Sequence, residues 1–374
     1  MTASRRVLFC RSNPVAPDPR VEKEADALTQ AGYAVTILCW DRTASLPPDD
    51  TVLGLPCHRL PVAAEYASGI HNLPALLRWQ WGMTRWLWRH RGEFDIIHAC
   101  DFDTVLPALF CKWFCRKRLV YDIFDFYADH LRATPAWIKR LIRWLDLRII
   151  NRADALILAD DSRWEQIAGT HPRHSAVIYN SPPDQSPPPT GRDAHPALQL
   201  AYIGLLQVER GLFEMVNVLR RHPDWYLDLA GFGGDEAALR EETESAPNIR
   251  WHGRIPYARA LALSAAADLL FATYDPAIPN HRYSSPNKLF EAMMLGKPIL
   301  VAAGTNMDRI VQAENCGVVV PYGDESALEA ALQHLAENPQ LRRELGENAR
   351  RAYETRYGWP QMRRRLQQLY ADLP

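Results

Sequence analysis

No two cysteines stand at CxxC spacing, and the seven present, at positions 10, 39, 57, 100, 111, 115 and 316, are scattered and mostly set in apolar runs. That argues against a structural zinc site and against a disulfide framework, and it suits a reducing compartment. No apolar run approaches the roughly 20 residues that a spanning helix needs. The stretch Val7–Cys10 is too short for the apolar core of a secretory signal, so a cytoplasmic protein is expected. Neither sign of charge is in excess: 43 Lys and Arg face 44 Asp and Glu, a formal net charge of −1. A general nucleic-acid coat is normally strongly basic, so no nucleic-acid partner is expected. No internal repeat is detectable.

What is present is ordinary in bulk, with 47% hydrophobic and 23% charged residues in 374, which excludes disorder as the dominant state and suggests two domains. Short apolar runs alternate with helix-patterned segments. Before residue 181 the runs are Val7–Cys10, Ala34–Trp40, Phe94–Cys100, Leu119–Ile123, Ala155–Ala159 and Ala176–Tyr179. After it they are Leu198–Ile203, Trp225–Ala230, Ile249–Trp251, Leu269–Thr273, Pro298–Ala303 and Gly317–Pro321. This alternation predicts parallel sheets covered by helices on both faces. Between the two sets, Ser181–Pro196 has five prolines in its first nine residues, which sustain neither a helix nor a central strand. The expected plan is an N-terminal Rossmann-like domain over 1–184, a linker over 185–197 and a second such domain over 198–359, facing a central cleft. A last helix over 360–374 follows the break at Gly358 and is free to pack back on the first domain.

Ligands of such sheets bind beyond the carboxyl ends of the strands. The segment SSPNKLFEAMMLGKP, Ser284–Pro298, places a helix there, with Ser284, Ser285 and Pro286 suited to its start and Gly296 to its end. A helix N-terminus offers free N–H groups to an anion. Lys288 adds a positive charge, and Glu291, on nearly the same face, can accept from two adjacent hydroxyls. Phosphate plus diol describes a nucleotide. An ordinary capped helix with a solvated Lys–Glu pair is the other reading of the same residues.

The segment resembles the nucleotide-sugar signature of GT-B glycosyltransferases, specifically the large retaining family-four group. Four further stretches resemble that group: Ala201–Gly204 with Glu209–Gly211, Leu229–Gly233, Trp251–Pro256 with Ala267–Asp268, and Asp18–Glu22 running to Gly32–Tyr33, the last as in bacterial members that build surface polysaccharides. The resemblance implies an α/β GT-B fold and transfer of a sugar from a nucleoside diphosphate sugar to a hydroxyl of a saccharide or lipid-linked acceptor, with retention. It implies a donor site at Gly204, Arg210, Tyr283, Ser285, Asn287, Lys288, Leu289 and Glu291, and no metal or other cofactor. Two positions depart from the pattern. Tyr283 stands where many members carry a first glutamate, and Leu205 stands where a basic residue often follows the glycine, leaving Arg210 as the phosphate ligand. Two other readings share the architecture: a nucleotide-sugar 2-epimerase, and a binding protein that has lost chemistry.

Acidic loops follow two strands of the first half, at Asp101-Phe102-Asp103 and Asp122-Ile123-Phe124-Asp125. Asp101, Asp122 and Asp125 are candidates to orient an acceptor hydroxyl or take its proton, with capping or loop solvation as the alternative. Asp101-Phe102-Asp103 imitates the metal-binding DxD of the other glycosyltransferase fold, but a second Rossmann-like half does not belong to that fold. Arg20 either meets phosphate or pairs with Glu24 four residues on. Nine of the 12 Trp precede residue 190, and Leu73–Arg152 holds 14 basic and 8 acidic residues. In 74–91 and 136–152 Trp interleaves with Arg, which suits peripheral contact with the inner face of a membrane; core helices with solvated basic faces are the alternative.

Overall fold

The computed structural model describes residues 5–65, 72–131, 134–185 and 198–373. The chain divides into two compact units: one runs through Tyr179 and takes up the chain again from Met362, and the other spans Asn180–Gln361. The change of unit thus falls at Tyr179, ahead of residue 184, and most of the expected linker lies outside the described residues.

The first unit is built on an eight-stranded sheet. Its strands are β1 (Arg6–Arg11), β2 (Ala34–Asp41), β3 (Asp49–Val52), β4 (Leu55–Pro61), β5 (Ile96–Cys100), β6 (Arg118–Ile123), β7 (Ala155–Leu158) and β8 (Ser175–Val177), in the order β3-β4-β2-β1-β5-β6-β7-β8. Every pairing is parallel except β3 with β4. Strands covered on both faces need apolar side chains at successive positions, and β5 and β7 are buried at every residue. Leu8, Leu38, Ile97, Leu119 and Leu156 of the strands share one core with Trp79, Met83, Leu109 and Ile149 from the helices Leu73–Arg89, Phe102–Cys115 and Ala136–Ile150. On the opposite face lie the helix Pro19–Gln30 and the C-terminal residues of the helix Trp359–Ala371. Gln367 Nε2 donates to the Ala27 carbonyl at 2.9 Å, and Arg5 Nη1 to that of Leu373 at 3.0 Å.

The hairpin β3–β4 has no counterpart among the apolar runs of the sequence. Its two-residue turn puts Leu53 at φ 50° and Gly54 at φ 78°, where Asn-Gly is the usual signal. Pro56 and Pro61 further disguise β4 as a loop.

The second unit holds β9 (Gln199–Leu205), β10 (Tyr226–Phe232), β11 (Ile249–Gly253), β12 (Leu269–Ala272), β13 (Ile299–Ala302) and β14 (Gly317–Val320). The order β11-β10-β9-β12-β13-β14 is all parallel and is that of a doubly wound dinucleotide-type sheet. The chain leaves β9 toward one edge and returns at β12 toward the other, so the two strands open a crevice at their carboxyl ends. All twelve apolar runs of the sequence coincide with strands.

Candidate functional site

A pocket of about 280 Å³ occupies that crevice in the second unit. Ile203, Gly204 and Leu205 at the end of β9 form one wall. Arg210 comes from the turn that follows, Tyr274 from just beyond β12, Tyr257 from the helix Tyr257–Ala266, and Asn287, Lys288 and Glu291 from the helix Asn287–Leu295.

The backbone allows this convergence through two glycines side by side in the β9–β10 register. Gly204 has φ 156° and Gly231 has φ 153°, and a Cβ on Gly231 would come 1.9 Å from the Gly204 carbonyl oxygen. With no side chain at Gly204, Lys288 reaches across the strand end. Its Nζ sits 3.3 Å from the centroid of the Tyr202 ring, a cation–π contact. Burial, with the nearby Arg210 charge, holds Lys288 well below the ordinary lysine value. The Arg210 guanidinium lies 3.9 Å over the Tyr274 ring, and its buried Nε has no hydrogen-bond partner among the described residues. A guanidinium with an unmet donor, and a buried lysine whose charged form burial disfavours until an anion arrives, make a pocket that gains by taking in an anion. Glu291 accepts from the Tyr257 hydroxyl at 3.0 Å. Burial and that carboxylate raise the Tyr257 phenol, so it stays a donor.

The helix start differs from the sequence expectation in detail. Pro286 is the capping position and makes no side-chain hydrogen bond to the first turn, so Ser284 and Ser285 do not cap it. Ser284 Oγ donates to the His281 carbonyl, and Ser285 Oγ is buried without a partner. The first-turn amides thus have no side-chain cap, which suits an anion.

Of the expected donor residues, Gly204, Arg210, Asn287, Lys288 and Glu291 line the pocket. Leu289 is instead a buried core residue, because its position turns it to the inner face of the helix. Tyr283 and Ser285 precede the helix and are not among the lining residues. Tyr257 and Tyr274 escaped the sequence reading. Tyr257 opens a helix after a loop and Tyr274 follows a strand, with no local pattern to single out either.

In the first unit, Asp122 and Arg20 depart from their candidate roles. Arg20 Nη2 contacts Asp122 at 2.8 Å and its Nε contacts Glu24 at 3.2 Å, all three being buried. The pairing with Glu24 is the one that the (i, i+4) spacing offered. Burial pushes Asp122 up, but the Arg20 charge and the His98 hydrogen bond hold it below the ordinary carboxylate value. His98 joins Asp122 through Nε2 at 3.3 Å and the Tyr370 hydroxyl through Nδ1 at 2.7 Å. Asp122 and Arg20 therefore build an interior network and have no open face toward an acceptor or a phosphate. Glu24, His98 and Asp122 lie close enough to ligate an ion, but the Arg20 guanidinium already sits among them.

Asp101 and Asp125 remain at the carboxyl edge. Asp101 holds φ 64° and ψ 170°, a region normally left to glycine. Its carboxylate accepts from the Phe124 amide at 2.9 Å and pairs with Arg11 at 2.5 Å. Burial, opposed by Arg11, pushes its carboxyl up to about 6. Asp125 is half exposed and pairs with Arg163 at 2.8 Å.

Residues 16–180 match the family described as glycosyl transferase 4-like domain, and residues 193–352 match glycosyl transferases group 1. The chain is similar to D-inositol 3-phosphate glycosyltransferase of Corynebacterium kroppenstedtii, 28% identical over 184 residues, 47% of this chain and 41% of that protein. It thus spans less than half the length of that relative. Among solved structures it is similar to sucrose-phosphate synthase from Thermosynechococcus elongatus, with TM-score 0.81, 16% identity and 99% of both chains covered. It is also similar to HepE of Anabaena in complex with UDP and glucose, with TM-score 0.71, 14% identity, and 99% and 100% of the two chains covered. These likenesses establish the two-domain GT-B fold.

Proposed function

The chain belongs to the GT-B glycosyltransferases of the family-four type, and on that premise we propose that it transfers a sugar from a nucleoside diphosphate sugar to a hydroxyl acceptor with retention at the anomeric carbon. The observation that carries the reading is the meeting of Arg210, Lys288 and Glu291 in one pocket at the switch point of the second sheet. The two cations and the open helix start take the diphosphate, and Glu291, oriented by Tyr257, takes the ribose hydroxyls. Charge developing on the departing diphosphate meets donors already in place, and such preorganised stabilisation supplies most of the acceleration in this kind of catalysis. HepE, similar in fold, is in complex with UDP and glucose, which supports a nucleotide sugar as donor.

The first unit is the acceptor side in this reading, with Asp101 and Asp125 at its carboxyl edge. The acceptor class is a saccharide or lipid-linked sugar of surface polysaccharide or glycolipid assembly, met at the inner face of the membrane. No metal takes part in the step. Release of nucleoside diphosphate from a panel of UDP-, GDP- and dTDP-sugars tests the activity. Arg210→Ala and Lys288→Ala should each weaken donor binding by about 10- to 100-fold. Unchanged affinity in both variants overturns the assignment, and sugar isomerisation without net transfer replaces it with an epimerase.

A further inference from the structure

The helices Leu73–Arg89, Phe102–Cys115 and Ala136–Ile150 share the core on one face of the first sheet and lie side by side. Each also has a second apolar side, turned outward. Trp81 and Trp88 on the first, Phe110 and Phe114 on the second, and Trp137 and Trp144 on the third are all exposed, Trp81 by 70%, Phe114 by 64% and Trp137 by 63%. Trp88 and Phe110 bridge the first two helices with ring centroids 6.3 Å apart, and Phe110 and Phe114 are 4.5 Å apart. The middle helix shows no Trp–Arg alternation in its sequence; the fold brings its aromatic side into this layer.

The charge on the three helices themselves is mostly of one sign. The three helices carry eight Lys and Arg residues and two acids. Both acids, Asp103 and Asp146, are buried, so the outer side of these helices carries no carboxylate of its own; Lys112 is paired with the buried Asp154 at 2.6 Å, and the other basic residues are left to face outward or the neighbouring loops. Arg148 stacks over Trp144 at 4.2 Å, an arrangement in which the guanidinium stays wet while the ring supplies apolar surface.

We propose that this three-helix layer is a docking surface for a bilayer bearing anionic headgroups. Exposed Trp and Phe enter the headgroup boundary, and the surrounding Arg and Lys meet lipid phosphates. The inference deepens the membrane side of the proposed function and rests on it. Aromatic bodies this exposed have no use for a purely electrostatic partner, and these helices offer no exposed carboxylate of their own to pair with the same face of a second copy. The helices cover one face of the sheet, so docking on their outer side leaves the sheet and its carboxyl edge, with Asp101 and Asp125, on the side away from the lipid.

The test is co-sedimentation of the full chain with vesicles of phosphatidylcholine containing about one third phosphatidylglycerol, beside pure phosphatidylcholine vesicles. The wild type should sediment with the anionic vesicles, with Trp emission shifted to the blue, and less with the neutral ones. Trp81→Ser/Phe114→Ser/Trp137→Ser should cut the bound fraction about tenfold. Arg78→Glu/Arg85→Glu should cut it likewise at low salt and remove most of its salt dependence. Circular dichroism and UDP binding on the same samples show that each variant is folded and that the donor site is intact. Absence of vesicle binding overturns the surface while UDP binding leaves the donor reading standing. Vesicle binding that both variants retain moves the contact elsewhere and also overturns it. A wild-type dimer by light scattering that the aromatic variant splits, or salt-sensitive binding of single-stranded RNA in place of vesicles, assigns the face to another occupant and overturns it too.

Discussion

A methyl group on Gly204 would lie 2.7 Å from Nζ of Lys288, so the bare strand end and the lysine in the pocket depend on each other. Gly204→Ala puts a side chain on backbone at φ 156°, so it should cost some stability, and it displaces the ammonium from Tyr202; circular dichroism checks that the variant is folded. Donor affinity measured by calorimetry with UDP should fall by about tenfold. An unchanged affinity contradicts the placement of the diphosphate beside Gly204.

Lys288 carries a second consequence. Burial and Arg210 depress its proton affinity in the empty pocket, and a bound diphosphate restores it. Binding should therefore take up a proton in the window between the depressed value and the restored one. The enthalpy of UDP binding should depend on the ionisation enthalpy of the buffer, and Lys288→Met should abolish that dependence. The sign for stability follows too. The unfolded chain binds the proton more tightly than the folded one, so this residue makes the empty protein more stable as pH rises through that window.

Asp146 lies fully buried in the helix Ala136–Ile150, accepts from the Tyr121 hydroxyl at 2.8 Å, and leaves Oδ2 without a partner. Burial pushes its carboxyl up to about 7. A carboxyl raised in the folded state costs nothing below its unfolded value, and its cost grows as pH rises to the folded one. Asp146→Asn keeps the acceptor for Tyr121 and removes the titration. Between pH 5 and pH 8 the wild type should lose about 3 kcal/mol relative to the variant. Urea unfolding at the two pH values measures it, and parallel losses in both proteins refute it.

His98 and Tyr370 join the last helix to the middle of the first sheet through a buried hydrogen bond of 2.7 Å. Tyr370→Phe strands the imidazole Nδ1 and should cost about 1–3 kcal/mol. The variant should also expose the C-terminal helix to limited proteolysis before the rest of the chain. A cleavage pattern identical to that of the wild type argues against a fastening role.

Tyr257 orients Glu291 and does no more in this account, so Tyr257→Phe should weaken donor binding only a few-fold, less than Glu291→Ala. Equal losses in the two variants give Tyr257 a direct contact with the nucleotide.

The chain itself determined the two parallel sheets. Strands buried on both faces must be apolar at consecutive positions, and such runs are visible without any partner, as in Ile96–Cys100 and Ile299–Ala302. The cation and carboxylate of the donor pocket were legible for a similar reason: Lys288 and Glu291 share a helix, and one turn brings them to one face. Tertiary structure alone decided what depends on separate elements meeting. Asp122 sits at a strand end like Asp101, yet Arg20 and Glu24, some hundred residues earlier in the chain, close over it, together with His98 of the neighbouring strand. Tyr257 and Tyr274 reach the pocket from a helix and a strand end that no spacing relates. The middle aromatic helix joins its neighbours only because consecutive crossovers lie on one face of the sheet. Local pattern records what a segment buries; it does not record which distant side chain arrives to pair with it.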